Sequence, residues 1–170
     1  MKRLTGALLT ITIVTLLICG GGMVYASNLK PTEPPVIVQP LNADIVFRLV
    51  NKERQKANLK PLVRDARLDA TAQAKADEMV RLNYFGHFNP MTGKNTAWDN
   101  PKFDQICSKS GENIDGALTA EEAISEWMGS KPHHDAILDP DYTLTGMAVA
   151  KGGVQGEDGY NIVQHFCVSK

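Results

Sequence analysis

Tyr160-Asn161-Ile162-Val163-Gln164-His165-Phe166-Cys167-Val168 closes the chain with a run that reads as a β-strand. Successive side chains of a strand point to opposite faces. Tyr160, Ile162, Gln164, Phe166 and Val168 therefore share one face, and Asn161, Val163, His165 and Cys167 share the other. Thr145-Gly146-Met147-Ala148-Val149-Ala150 reads as a second strand, with Gly152, Gly153, Gly156 and Gly159 supplying the turn between the two. An antiparallel hairpin is thus predicted at the end of the chain.

Helical periodicity lies upstream. Asn42 is placed to cap a first helix whose Ile45, Val46, Leu49 and Val50 form an apolar stripe, ending near Asn58. Asp65 is placed to cap a second, in which Leu68, Ala72, Ala76, Met79 and Val80 recur at helical spacing. Thr119 with Glu122 matches a capping box for a third helix, whose buried side is Ala123, Ile124, Trp127 and Met128 and which Lys131-Pro132 should end. Residues 83–110 hold Gly, Pro, Asn and aromatics without a sustained period and read as a long loop, the kind that is usually functional or crosslinked. Gly111-Glu112-Asn113-Ile114 is read as part of a loop opening after Cys107. Helices first and a hairpin last make the class α+β, with no internal repeat.

The first 26 of the 170 residues stand apart. Lys2-Arg3 precedes 23 uncharged residues, 4–26, in the charged, apolar and small-residue order of a secretory signal, and Val24-Tyr25-Ala26 suits cleavage before Ser27. An uncleaved anchor is the rival reading, because 23 uncharged residues span a bilayer when helical, although Gly20-Gly21-Gly22 disfavours that helix. A lipid anchor on Cys19 is a third, with bulky Ile18 where a small residue is expected. All three export most of the chain. Pro31, Pro34, Pro35 and Pro40 then make residues 27–40 an extended linker, which leaves one domain over 41–170.

At 43% hydrophobic and 22% charged residues the composition is that of a globular protein. Lys2 and Arg3 take two of the 18 basic residues, so the remainder sets 16 against 19 acidic ones, a net charge of −3. A general basic footprint, and with it nucleic acid as the expected partner, is excluded. Export makes Cys107 and Cys167 an even pair in a compartment that permits disulfides; a bridge would close a loop of about 60 residues and stabilise the fold by about 4 kcal/mol. Two buried free thiols are the alternative. Cys107 has one neighbouring cation, Lys109, and no adjacent base, which argues against a nucleophile.

Four histidines sort by context. His87 lies among aromatics in Tyr84-Phe85-Gly86-His87-Phe88-Asn89-Pro90, and His133 and His134 follow Ser130-Lys131-Pro132. His165 sits on a strand face with Val163 and Cys167, where a structural role and a place in a cleft wall are both open. If His87, Glu112 and His133 converge, two imidazoles and a carboxylate make three ligands of the kind zinc accepts, with a position left for water. Each also has a plain alternative. His133 can cap the third helix at its C-terminal carbonyls, Glu112 can accept from local backbone amides, and Asn113 is read as satisfying loop backbone. His134 is read as solvent-facing and Trp127 as core.

The ordered set Gly86-His87-Phe88-Asn89-Pro90, Gly111-Glu112-Asn113-Ile114, Trp127-Met128-Gly129-Ser130-Lys131-Pro132-His133, Ile137-Leu138 and Tyr142-Thr143-Leu144-Thr145-Gly146 resembles the CAP superfamily. That superfamily takes in cysteine-rich secretory proteins, antigen 5 allergens and plant pathogenesis-related proteins; this sequence is most similar to its bacterial, exported branch. The resemblance implies a three-layer α-β-α sandwich of the CAP/SCP type with an antiparallel sheet. It also implies a cleft where, in animal and plant members, two histidines face two acids. His87 matches the first histidine, Glu112 the first acid and His133 the second histidine. Ser130 stands about where those members have the second acid, and Glu126 lies one turn earlier on only approximately the same side of the helix. Losing one carboxylate predicts weaker metal binding.

The expectation is an exported binding module whose cleft of His87, Glu112, Ser130 and His133 takes a divalent metal such as zinc, a small apolar ligand or a peptide. A zinc-dependent peptidase or esterase with Glu112 as general base is the alternative, weakened because only two protein ligands then remain where catalytic zinc usually has three. A serine mechanism through Ser130 and His133 lacks an identifiable orienting acid. The third reading is an adhesive or structural domain that meets an envelope component. Membrane contact is expected only through an uncleaved N-terminal segment.

Overall fold

A computed structural model describes residues 40–95, 98–152 and 159–170. The signal or anchor segment, all but the last residue of the linker, and Gly153 and Gly156 of the hairpin turn lie outside the described residues. The helices begin where their caps predict. Asn42 accepts hydrogen bonds from the amides of Asp44 and Ile45 at the start of α1, Ala43–Lys56, and Asp65 accepts from Arg67 N at the start of α2, Ala66–Leu82. Asn83 ends α2 in the left-handed region at φ 53°, a conformation Asn tolerates better than most residues. The capping box opens α4, Ala120–Gly129: Thr119 Oγ1 accepts from Glu122 N, and the Glu122 carboxylate accepts from Leu118 N.

Four strands form one sheet in the order β1-β3-β4-β2, where β1 is Val63–Arg64, β2 Cys107–Ala117, β3 Leu144–Lys151 and β4 Tyr160–Ser169. β4 pairs antiparallel with β3 on one side and β2 on the other, and the two-residue β1 adds a short parallel edge to β3. Helices cover both faces. Ile162 and Phe166 pack with Val46, Val50, Ile124, Trp127 and Ile137 on one side, while Val163 packs with Ala72, Ala76 and Met79 of α2 on the other. This is the three-layer α-β-α arrangement, and the two faces of β4 are those that period-2 counting assigns. The small residues on α2 permit close approach to the sheet. At Gly146 of β3 any Cβ would collide with the backbone of Leu68 and Asp69.

Three readings change. Residues 83–110 are not wholly loop, because α3, Pro101–Ile106, folds within them and carries Phe103 into the core. Gly111-Glu112-Asn113-Ile114 is strand, not loop. Pairing with β4 from Cys107↔Ser169 to Ala117↔Tyr160 supplies the ladder bonds that Gly, Asn and Asp would not favour alone. Lys131-Pro132 does not simply end a helix. Ser130 breaks it and α5, Lys131–Ile137, starts at once with proline in its first turn, where the missing N–H costs nothing.

Cys107 and Cys167 form a disulfide between the paired ends of β2 and β4, buried against Leu68 and Phe103. The interior also holds a cation that periodicity did not reveal. Arg54 is 1% exposed, and its guanidinium donates to the carbonyls of Lys60, Ile137, Asp139 and Tyr142, tying the end of α1 to the chain that enters β3.

Candidate functional site

β2 and β4 place Glu112 and His165 as register partners, so their side chains lie next to each other on the face covered by α2. Both are buried, and His165 Nε2 lies 2.9 Å from Glu112 Oε2. The chain leaving α2 brings His87 to the same carboxylate, with Nδ1 2.7 Å from Oε1, and Asn95 Nδ2 donates to that oxygen at 3.0 Å. Burial alone would raise the pKa of Glu112. The hydrogen bonds from His165 and His87, helped by the electrostatic pull of His165 and Lys75, hold it instead at about 2. Glu112 is therefore a carboxylate at neutral pH, and an ionised carboxylate only accepts. Each facing ring nitrogen accordingly carries a proton.

His87 is held at its backbone as well. Lys75, fully buried on α2, donates to the His87 carbonyl at 2.9 Å and to Tyr84 OH at 3.0 Å; the Tyr84 hydroxyl in turn donates to Glu78 Oε2 at 2.6 Å. Burial lowers the Lys75 pKa against the opposing pull of Glu112 and Glu78. Asn95 Nδ2 also reaches the His87 carbonyl, at 2.7 Å, so one side chain ties backbone and carboxylate together. The imidazole itself remains 40% exposed, which leaves part of it open to a ligand. Trp98 stacks beside it at 6.0 Å between centroids, and Phe88 meets Trp98 edge-on at 5.6 Å. Phe85 and Phe88 are each about half exposed.

His133 stands in the first turn of α5 rather than at the C-terminal carbonyls of α4, so the capping reading is overturned. Its backbone carbonyl accepts from Asn113 Nδ2 at 3.2 Å, and Asn113 thus ties β2 to α5 rather than to a loop. β2 is the outer strand of the sheet, and His133 lies near enough to His87 to feel its charge. Burial, and then repulsion from the His87 ring when both are protonated, lower the His133 pKa. Ser130 joins α4 to α5, and its hydroxyl makes no capping bond. Trp127 is core, with Nε1 donating to Ile114 O, while His134 is 41% exposed beside Asp135.

Glu112 does not act as a cap for local amides, since its acceptors are spent on two rings and an amide. Glu112 turns both oxygens toward N–H donors, and among the described residues no group of three or more His, Cys, Asp or Glu side chains is placed to hold a metal ion.

A family model described as CAP, cysteine-rich secretory protein family, matches residues 47–168. The chain belongs to that family. The Bacillus subtilis (strain 168) protein YkwD is 41% identical to this CAP chain over 110 residues, which are 64% of this chain and 42% of YkwD. The chain thus spans less than half the length of that relative. Among solved structures, an outer surface protein of Borrelia burgdorferi superposes with a TM-score of 0.66 at 20% identity, covering 75% of this chain and 92% of the other, and shares the fold. A Bacillus anthracis extracellular protein containing an SCP domain superposes with a TM-score of 0.61 at 25% identity, over 74% of this chain and 39% of its own. No helix among the described residues is long and apolar enough to cross a membrane.

Glu126, the candidate second acid of this CAP domain, is exposed and acts with Glu122 on Asp115 of β2. Burial raises the Asp115 pKa to about 6, the Gly116 amide opposes this, and the two glutamates add to it; Oδ2 is buried without a hydrogen-bond partner. A raised carboxyl pKa means that the folded state binds more protons, so the contribution of Asp115 is full below about pH 4 and is lost as pH rises through 6. Asp115→Asn should therefore raise the unfolding free energy at pH 7.5 by about 1–2 kcal/mol, allowing for solvent screening. Urea denaturation checks this, and the gain should vanish at pH 3.5.

Proposed function

We propose that this CAP domain is an exported binding module. Its His87–His133 face takes a peptide, a small apolar ligand or a divalent metal ion, in the envelope or outside the cell. One observation carries the reading: a half-open imidazole, fixed from behind by Glu112, stands beside Trp98, against which the exposed ring of Phe88 packs edge-on. With Nδ1–H committed to Glu112, neutral His87 presents an unprotonated Nε2, which accepts a hydrogen bond or binds a cation, while the aromatics offer apolar contact. A hydrolytic role for Glu112 as general base finds less support, because both its oxygens are engaged. Export rests on Lys2-Arg3 and the uncharged residues 4–26, and on the extracellular Bacillus anthracis relative.

Calorimetric titration with zinc chloride, together with fluorescence titration with the apolar probe 1-anilinonaphthalene-8-sulfonate, tests the reading. Loss of an imidazole donor in His87→Ala or His133→Ala should weaken zinc binding by about tenfold, and Phe88→Ser should weaken the probe by a similar factor. Equal affinities in wild type and all three variants, for both ligands, would remove this face as the binding site.

A further inference from the structure

The hydrogen bonds do not end at His165. Its Nδ1 lies 2.9 Å from Thr71 Oγ1, and that oxygen lies 2.9 Å from the Leu68 carbonyl one turn back on α2. Phe103 from α3 closes the ring edge-on at 5.7 Å, and His165 has no exposed surface. A continuous line therefore runs from the backbone of α2 through Thr71, His165 and Glu112 to the partly exposed ring of His87.

We infer that His165 and Thr71 are positioning residues which fix Glu112, and through it the ring orientation and tautomer of His87. The proton count leaves little freedom. The Glu112 carboxylate only accepts, so His165 must present Nε2–H to it. The Leu68 carbonyl also only accepts. The Thr71 hydroxyl then has two arrangements. It donates to His165 Nδ1, leaving a neutral ring, or it donates to Leu68 and accepts from Nδ1–H of an imidazolium. His165 is an Nε2–H donor in both. With one Glu112 oxygen pinned from below in this way, the other is aimed at His87 Nδ1, which keeps the proton there and leaves Nε2 bare.

A second observation points the same way. Glu112 without His165 would keep one oxygen in a buried site with no donor, and a buried carboxylate oxygen without a partner is costly. The His165 ring supplies that donor from the paired strand, in the register that places the two residues side by side. Such an outer partner governs both the orientation of a ligand-facing histidine and which of its nitrogens is free. The functional meaning of the relay rests on His87 being the group that meets ligand, but its existence does not.

Nitrogen-15 correlation spectra of the histidine rings in the full chain at pH 8 test the proposal. In wild type, His87 should show a protonated Nδ1 with a bare Nε2, and His165 a protonated Nε2. His165→Leu and Thr71→Val should each move the His87 pair toward the averaged shifts of a free imidazole. His165→Gln, which keeps an N–H donor, and Thr71→Ser, which keeps the hydroxyl, should restore the wild-type pattern. A bare His165 Nε2 in wild type overturns the inference without any variant. So does an unchanged His87 pattern in Thr71→Val, a substitution the helix tolerates. Ligand affinities that ignore His87→Ala while these shifts behave as expected would sink the binding reading and leave the relay standing.

Discussion

Glu112→Gln should lower the unfolding free energy at pH 7 by about 3 kcal/mol, because removing one partner of a buried charged cluster strands the groups that faced it. Glutamine keeps the volume and one acceptor. Its NH2 group, however, must confront either His87 Nδ1–H or His165 Nε2–H, and both contacts are now under 3 Å. The effect carries a pH signature. The folded pKa of Glu112 is depressed to about 2, so its contribution is complete above its unfolded value near 4.5 and is lost as pH falls through 2. Guanidinium denaturation of wild type and variant should therefore show a gap that is widest at pH 7 and shrinks by more than half at pH 3. A gap that stays constant over that range would mean the carboxylate is not held by these donors.

Breaking the Cys107–Cys167 bridge should cost about 4 kcal/mol, the chain-entropy value for a crosslink that closes some 60 residues. The loop it closes contains α4, α5 and β3, so most of one helical layer and an inner strand fold under that constraint. Both sulfurs are buried, so reductant should act slowly on the native protein and fully once it unfolds. Denaturant midpoints measured with and without reductant, and for Cys107→Ser/Cys167→Ser, check the figure. Coincident midpoints would contradict it. The crosslink also lies two residues from His165 and anchors the end of α3 that brings Phe103 over its ring. Loss of the bridge should loosen the site before it unfolds the rest.

The parts of this CAP domain that were legible in the sequence are those set by local chemistry. Asn42, Asp65 and Thr119 cap helices because a short polar side chain reaches amides two or three residues ahead, and no distant partner is needed. Alternation along residues 160–168 assigned the two faces of β4 correctly because strand geometry allows no other period. Trp127 and the small residues of α2 were readable as core for similar reasons. Family resemblance added His87, Glu112 and His133, and two of these, His87 and Glu112, meet directly.

What failed was whatever depends on a partner far along the chain. Gly111, Asn113, Asp115 and Gly116 are poor strand formers, so β2 looked like loop until β4 offered its ladder. Arg54 and Lys75 lie inside the fold, where helical periodicity gives no sign of a buried cation. Each is buried because backbone carbonyls or a tyrosine from elsewhere satisfy its protons, a fact no periodicity encodes. His165 showed only a place on a strand face. Its register opposite Glu112, 53 residues earlier, made it a donor to the site.

The sequence by itself thus determined the family, the α+β class and the starts of α1, α2 and α4, since short motifs and nearest-neighbour bonding carry that information. Only the tertiary structure decided the proton economy of the site. That economy depends on which buried donors surround one carboxylate, and in this chain they come from segments far apart in sequence that only the sheet and α2 bring together.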